Sequence, residues 1–155
     1  ITDDEFTRLP SGNLFSEALI TIELAEVAYS SRPSAQDLIA GNSAAGHFMR
    51  GGSLPIEALN NLSVDLRFLG EQSSHPQTSG EQVNSGVSSE MGNQYHLAAS
   101  LLNEALSRGY SVEAGMLVMT GSIGKIIPAK PGFYEARFLQ SSLGQQTSFS
   151  FHLGS

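Results

Sequence analysis

The sequence predicts a mixed α/β, strand-rich fold with one main helix, and three observations carry that expectation. Two segments, "ALITIELAEVA" and "LSVDLRFL", alternate apolar and polar residues at the period of a half-buried strand. One segment, from Asn93 to Arg108, changes to the 3.6-residue period of an amphipathic helix. The chain then closes on "TSFSFHL", where Phe149, Phe151 and Leu153 share one side of an extended run. At 155 residues the chain is most simply one domain with a proper core.

Taken in order, residues 1–17 are polar and broken by Pro10 and Gly12, which reads as a loosely ordered lead-in to a domain spanning 18–155. In the first strand Ile20, Ile22 and Leu24 face one way, and Thr21, Glu23, Ala25 and Val27 face the other. In the second, Leu62, Val64, Leu66 and Phe68 oppose Ser63, Asp65 and Arg67. Residues 70–89 are rich in Ser, Gln and Gly, and "TSGEQV" suits a hairpin better than a domain boundary. Asn93 is placed to cap the helix and Gly109 to end it, with Arg108 favourable to the dipole in the last turn. Leu97, Leu101 and Ala105 form one apolar row of that helix, and Ala98, Leu102 and Leu106 form the next. After it, "GMLVMTG" reads as a buried strand and "YEARF" as an alternating one. The expected core is Leu62, Val64, Leu66, Phe68, Leu97, Leu101, Phe149 and Phe151.

Composition excludes several functions. The net charge is −7 and Lys125 and Lys130 are the only lysines, which argues against nucleic acid or an anionic membrane as partner. No apolar run approaches the length of a membrane span. Zero cysteines remove disulfides, thiolate catalysis and zinc–thiolate sites, and leave the compartment undecided. The chain opens at Ile1 and not at Met, which agrees with an upstream segment having been removed.

The cluster Gly121, Gly124 and Lys125 invites a phosphate-loop reading, and spacing rejects it. Lys125 is followed by Ile126 where the motif needs Ser or Thr, and Met119 stands where it needs its first glycine. Pro128 and Pro131 also prevent the helix that such a loop introduces. The "TGS" at 120–122 can offer hydroxyls and amides to an oxyanion, or can be simply a tight turn. Lys125, in a turn bounded by Gly and Pro, is expected to face solvent or a cleft rim. Glu23 lies mid-strand beside Ala25 and Val27, so a partly buried carboxylate needing a cation or donor is one reading, and a solvated carboxylate is the other. His47, His75, His96 and His152 are scattered without metal-ligand spacing.

Four stretches carry a resemblance. They are "MGNQYHLAASLLNEAL", "EAGMLVMTGSIGKIIPAKPGFYEARF" and, upstream, "DLIAGNSAAGHFMRGG" after "LITIELAEV". Together they resemble the 2-keto-4-pentenoate hydratase and 4-oxalocrotonate decarboxylase group of the fumarylacetoacetate hydrolase superfamily. The resemblance covers residues 18–154, is most specific at the C-terminal motif, and implies a β-barrel or roll like that superfamily's C-terminal domain, with one main helix. It further implies a metal-dependent hydratase or decarboxylase acting on a 2-hydroxydienoate or 2-oxo acid. Glu23 would be a ligand of Mg²⁺ or Mn²⁺, with Asn42, Thr120 and Ser122 near the substrate. Oligomers and a cytoplasmic location are usual in the group.

Departures are equally specific. The group's E-x-E strand, which supplies two of its three metal carboxylates, has no match, nor does its earlier lysine and aspartate region. Around Asn42 the aspartate is replaced by Gly41 and two serines by Ala44 and Ala45. One carboxylate holds a hard cation weakly, because such sites draw charge and oxygen ligands from several groups. The expectation is therefore either a fragment whose N-terminal part lies elsewhere, or a divergent relative that is weakly active or non-catalytic and binds a small 2-oxo acid or a partner.

Overall fold

A computed structural model describes residues 15–26, 34–40, 45–71, 80–140 and 144–154. The chain divides into two compact units, a small one over Leu19–Ser53 and a larger one formed chiefly by Leu54–Ser155.

The small unit rests on a two-stranded sheet of β1 (Ala18–Ala25) and β2 (Ala45–Leu54), with the short helix α1 (Ala35–Ala40) between them. In β1 the expected alternation appears as buried Ala18 and Ile20, and Glu23 is exposed. Ser34 and Asp37 close the start of α1 reciprocally. The Asp37 amide donates to Ser34 Oγ at 3.2 Å, and the Ser34 amide and hydroxyl donate to the Asp37 carboxylate at 2.9 and 2.7 Å. Those bonds hold the Asp37 carboxyl below its ordinary range.

The larger unit is built on an antiparallel sheet in the order β4-β3-β5-β6, from β3 (Leu62–Gly70), β4 (Glu81–Val87), β5 (Gly132–Gln140) and β6 (Gln145–Leu153). β3 and β4 are the hairpin expected from residues 70–89. Register explains the core. Leu62, Val64, Leu66 and Phe68 lie opposite Gln140, Phe138, Ala136 and Tyr134, and those four β5 residues lie opposite Gln145, Thr147, Phe149 and Phe151. All of them share one face because strand side chains alternate. Ala136 and Tyr134, at 0% and 3% exposure, sit at its centre. Phe68, Tyr134 and Phe151 form a ladder of rings across three strands, with centroids 5.1 and 5.2 Å apart. Such cross-strand ring pairs add specificity beyond the area they bury.

The helix α2 (Gln94–Ser107) begins where expected. Asn93 caps it, its Oδ1 accepting from the amides of Tyr95 at 2.9 Å and His96 at 3.3 Å. Two short 3-10 turns, Ile56–Asn61 and Ser88–Met91, lead into β3 and α2. Ser88 is fully buried and its Oγ accepts from the Leu62 amide at 3.0 Å, joining the two turns' ends.

Three expectations are corrected. The run 115–121 is not a strand: it has no ladder partner, Gly115 and Gly121 take positive φ, and Met116 and Leu117 are exposed. A short apolar run has no period that separates a buried strand from an irregular crossing. Leu101 is 45% exposed, because the helix buries the stripe Gln94, Ala98 and Leu102 with Ala99 beside it, leaving Leu101 at the edge. The described strands form open sheets and not a closed barrel, with β4 and β6 each having one neighbour. Of the other expected core residues Leu62 and Leu66 are buried, and Val64, Phe68, Leu97, Phe149 and Phe151 are half-buried.

The packing predicts a contrast between two leucines that the sequence treats alike. Leu66→Ala should cost about 2–5 kcal/mol through lost burial and a cavity. Leu101→Ala should stay within about 0.5 kcal/mol, since its side chain is largely in water. Urea unfolding midpoints of both variants check this.

Candidate functional site

Between α2 and β5 the chain from Tyr110 to Pro131 has no helix or strand. Such a segment must find partners for its backbone groups wherever it lies against the protein. Three side chains from three different elements provide fixed points. Gln94, the first residue of α2, accepts from the Thr120 hydroxyl at 2.9 Å. Asn84 of β4 donates to the Lys125 carbonyl at 2.7 Å and accepts from the Lys125 amide at 3.1 Å. The Tyr134 hydroxyl of β5 accepts from the Lys130 amide at 3.0 Å and donates to the Lys130 carbonyl at 2.9 Å.

Asn84 and Tyr134 both belong to the core face of the sheet, because Asn84 lies opposite Leu66 and Tyr134 opposite Phe68. Side chains of that face therefore tie the loop at two residues, Lys125 and Lys130. Gln94 is only 5% exposed, and the rest of its groups are satisfied within the protein. Its side-chain amide donates to the Ser88 carbonyl at 3.2 Å, and its backbone amide donates to Asn60 Oδ1 at 2.7 Å. A buried amide with these partners fixes the start of the loop to the same node that joins β3, the 3-10 turns and α2.

The sequence-derived site residues are distributed as follows. Thr120 is half-buried with its hydroxyl donated to Gln94, and Ser122, Lys125 and Lys130 are exposed on the same loop. Glu23 is exposed on β1 of the small unit. Asn42 and His75 lie outside the described residues. Among the described residues no group of three or more His, Asp or Glu side chains is placed to hold a metal ion.

On the opposite face of the sheet four charges form a checkerboard. Asp65 lies across from Arg137 and Arg67 across from Glu135, while Arg67 bonds Asp65 and Arg137 bonds Glu135 within their own strands, each at 2.6 Å. The Glu135 hydrogen bond, assisted by Asp65, raises the Arg137 guanidinium above its ordinary value against the opposing effect of burial. Pairs this accessible contribute little each, and the arrangement reads as a neutralised outer face and not as a site.

Sequence reasoning marked the loop but missed Gln94, Asn84 and Tyr134, which hold it. No sequence signal marked Asn84: in "EQVNSGV" it alternates with the apolar Val83 and Val87, and only the register opposite Leu66 puts it on the core face. Thr120→Val should destabilise the protein by about 1–3 kcal/mol, because it strips a buried acceptor of its donor, and Thr120→Ser should restore most of that. Ser122→Ala should change stability by less than about 0.5 kcal/mol. Thermal or urea unfolding of the three variants separates the hydroxyl that ties the loop from the one that faces solvent.

No protein-family model matches the chain, and no curated protein matches it.

Proposed function

We propose that this chain is a divergent hydratase-like domain of the fumarylacetoacetate hydrolase kind, which binds a small 2-oxo acid at the 120–131 loop and turns it over weakly or not at all. One observation carries the reading. The stretch "TGSIGKIIPAKPG", the part of the chain that most resembles that group, holds both lysines and no acidic residue in a chain of net charge −7. It also presents Ser122, Lys125 and Lys130 to solvent on a backbone anchored at Thr120, Lys125 and Lys130. Cations and hydroxyl donors on a fixed backbone suit a carboxylate, since little ordering remains to be done on binding. Catalysis would need more. An enolate has to be stabilised and a proton moved, and general acid–base help of that kind is worth about 10²- to 10⁴-fold. The carboxylate cluster and the lysine and aspartate region that serve those ends in the resembled group have no counterpart in the sequence.

Calorimetry with oxalate, a stable mimic of the 2-oxo carboxylate unit, should show binding that weakens in a Lys125→Ala, Lys130→Ala double variant. An absorbance assay on 2-hydroxypenta-2,4-dienoate with Mn²⁺ should show little or no turnover. Tight Mn²⁺ binding that is lost in Glu23→Ala, accompanied by turnover, would instead make this a metal-dependent hydratase or decarboxylase with a rebuilt site.

A further inference from the structure

We propose that Asn84 is the positioning residue of this site: its carboxamide clamps Lys125 and thereby sets the backbone that carries Ser122 and Lys125 toward a bound carboxylate. The inference rests on the binding role proposed for the loop.

The geometry has three parts. First, the Asn84 side chain meets both backbone groups of one residue, donating to the Lys125 carbonyl and accepting from the Lys125 amide. That is the pattern a neighbouring strand would offer, supplied here by a side chain reaching 41 positions along the chain. Second, the contact is close enough to exclude side chains on both partners. A Cβ on Gly86 would stand 2.8 Å from the Gly124 nitrogen, and one on Gly124 would stand 2.6 Å from Asn84 Oδ1. Gly124 also takes φ of 91°, a conformation that side-chain-bearing residues avoid. Third, the clamp lies midway between the other two fixed points, Thr120 and Lys130. Without it the residues from Gly121 to Ala129 would be held only at their far ends. Ser122 lies two positions before Gly124, so its direction follows the backbone that Asn84 fixes.

Chemistry supplies a test that a general loss of packing does not imitate. In Asn84→Asp an ionised carboxylate keeps the acceptor for the Lys125 amide but turns a second oxygen on the Lys125 carbonyl. A protonated carboxyl donates to that carbonyl and restores both bonds. The charged groups on the elements around Asn84 are the exposed Lys125 and Lys130 of the loop, the exposed Glu81 of β4 and Glu90 of the adjoining 3-10 turn, and Asp65 and Arg67 of β3, which pair with each other on the opposite face. In Asn84→Asp, the protection of the Lys125 amide relative to its intrinsic exchange rate should rise as pH falls through the introduced carboxyl's titration. In the wild type and in Asn84→Ala it should show no such rise.

Oxalate affinity should fall by about threefold to tenfold in Asn84→Ala, the size expected for one net hydrogen bond. In Asn84→Asp, affinity relative to the wild type at the same pH should be regained as the introduced carboxyl is protonated, a comparison that cancels the titration of oxalate itself. Amides of β3 and β5 should keep their protection in both variants, which shows that the sheet is intact. Loss of Lys125 protection in Asn84→Asp that does not recover when the introduced carboxyl is protonated overturns the clamp. Unchanged oxalate affinity in Asn84→Ala, with Lys125 unprotected, overturns the positioning role while leaving the clamp. A wild-type chain that binds no oxalate overturns the binding site and Asn84's role in it together, and the exchange data then still decide whether the clamp exists.

Discussion

An irregular segment cannot lie against the apolar face of a sheet unless its peptide groups are given partners, and that requirement organises the larger unit. β5 and β3 put Tyr134, Ala136, Leu66 and Phe68 on one face. Asn84 and Tyr134 of that face reach residues 125 and 130 of a segment that makes neither helix nor strand. Asn84, Gln94 and Tyr134 are the answer to that requirement. Each comes from an element whose position is fixed by its own ladder or helix bonds, and each holds the loop at one residue. These links are part-buried or exposed and each contributes modestly to net stability, but together they select one path for the loop among many.

The same arrangement separates the loop's two kinds of polar residue. Thr120 and the backbone of Lys125 and Lys130 face the protein and hold position. Ser122 and the ammonium groups of Lys125 and Lys130 face water and are available to a ligand. A loop whose backbone is tied and whose charged tips are free suits recognition of a small anion.

Much of the architecture was legible because strands and helices write their periods locally. The alternation read in 18–28, 62–69 and 147–153 falls on β1, β3 and β6, and Asn93 followed by an apolar stripe corresponds to α2. β2 was not legible, since "AGHFMRGGSL" carries three glycines and no clear alternation. The run 115–121 misled for the converse reason: it is apolar without joining a sheet, and its glycines adopt conformations that composition does not reveal. At the site, "TGS" and the Pro-bounded turn were visible as a loop. Their partners were not, because the Thr120–Gln94 and Lys125–Asn84 contacts join residues 26 and 41 positions apart. Only the sheet register and the start of the helix bring those residues together. Leu101 fits a helical row as well as Leu102 does, and only the packing distinguishes them.

Amide hydrogen exchange of the unaltered protein, resolved residue by residue, tests the central claim most directly. The amides of Lys125 and Lys130, donated to Asn84 Oδ1 and the Tyr134 hydroxyl, should exchange markedly more slowly than that of Ile126, whose side chain is 87% exposed. Tyr134→Phe should release Lys130 and leave Lys125 slow, since each tie acts at its own residue. Exchange at Lys125 and Lys130 as fast as at Ile126 would contradict the account, because the loop would then lie on the sheet without the ties that are said to hold it.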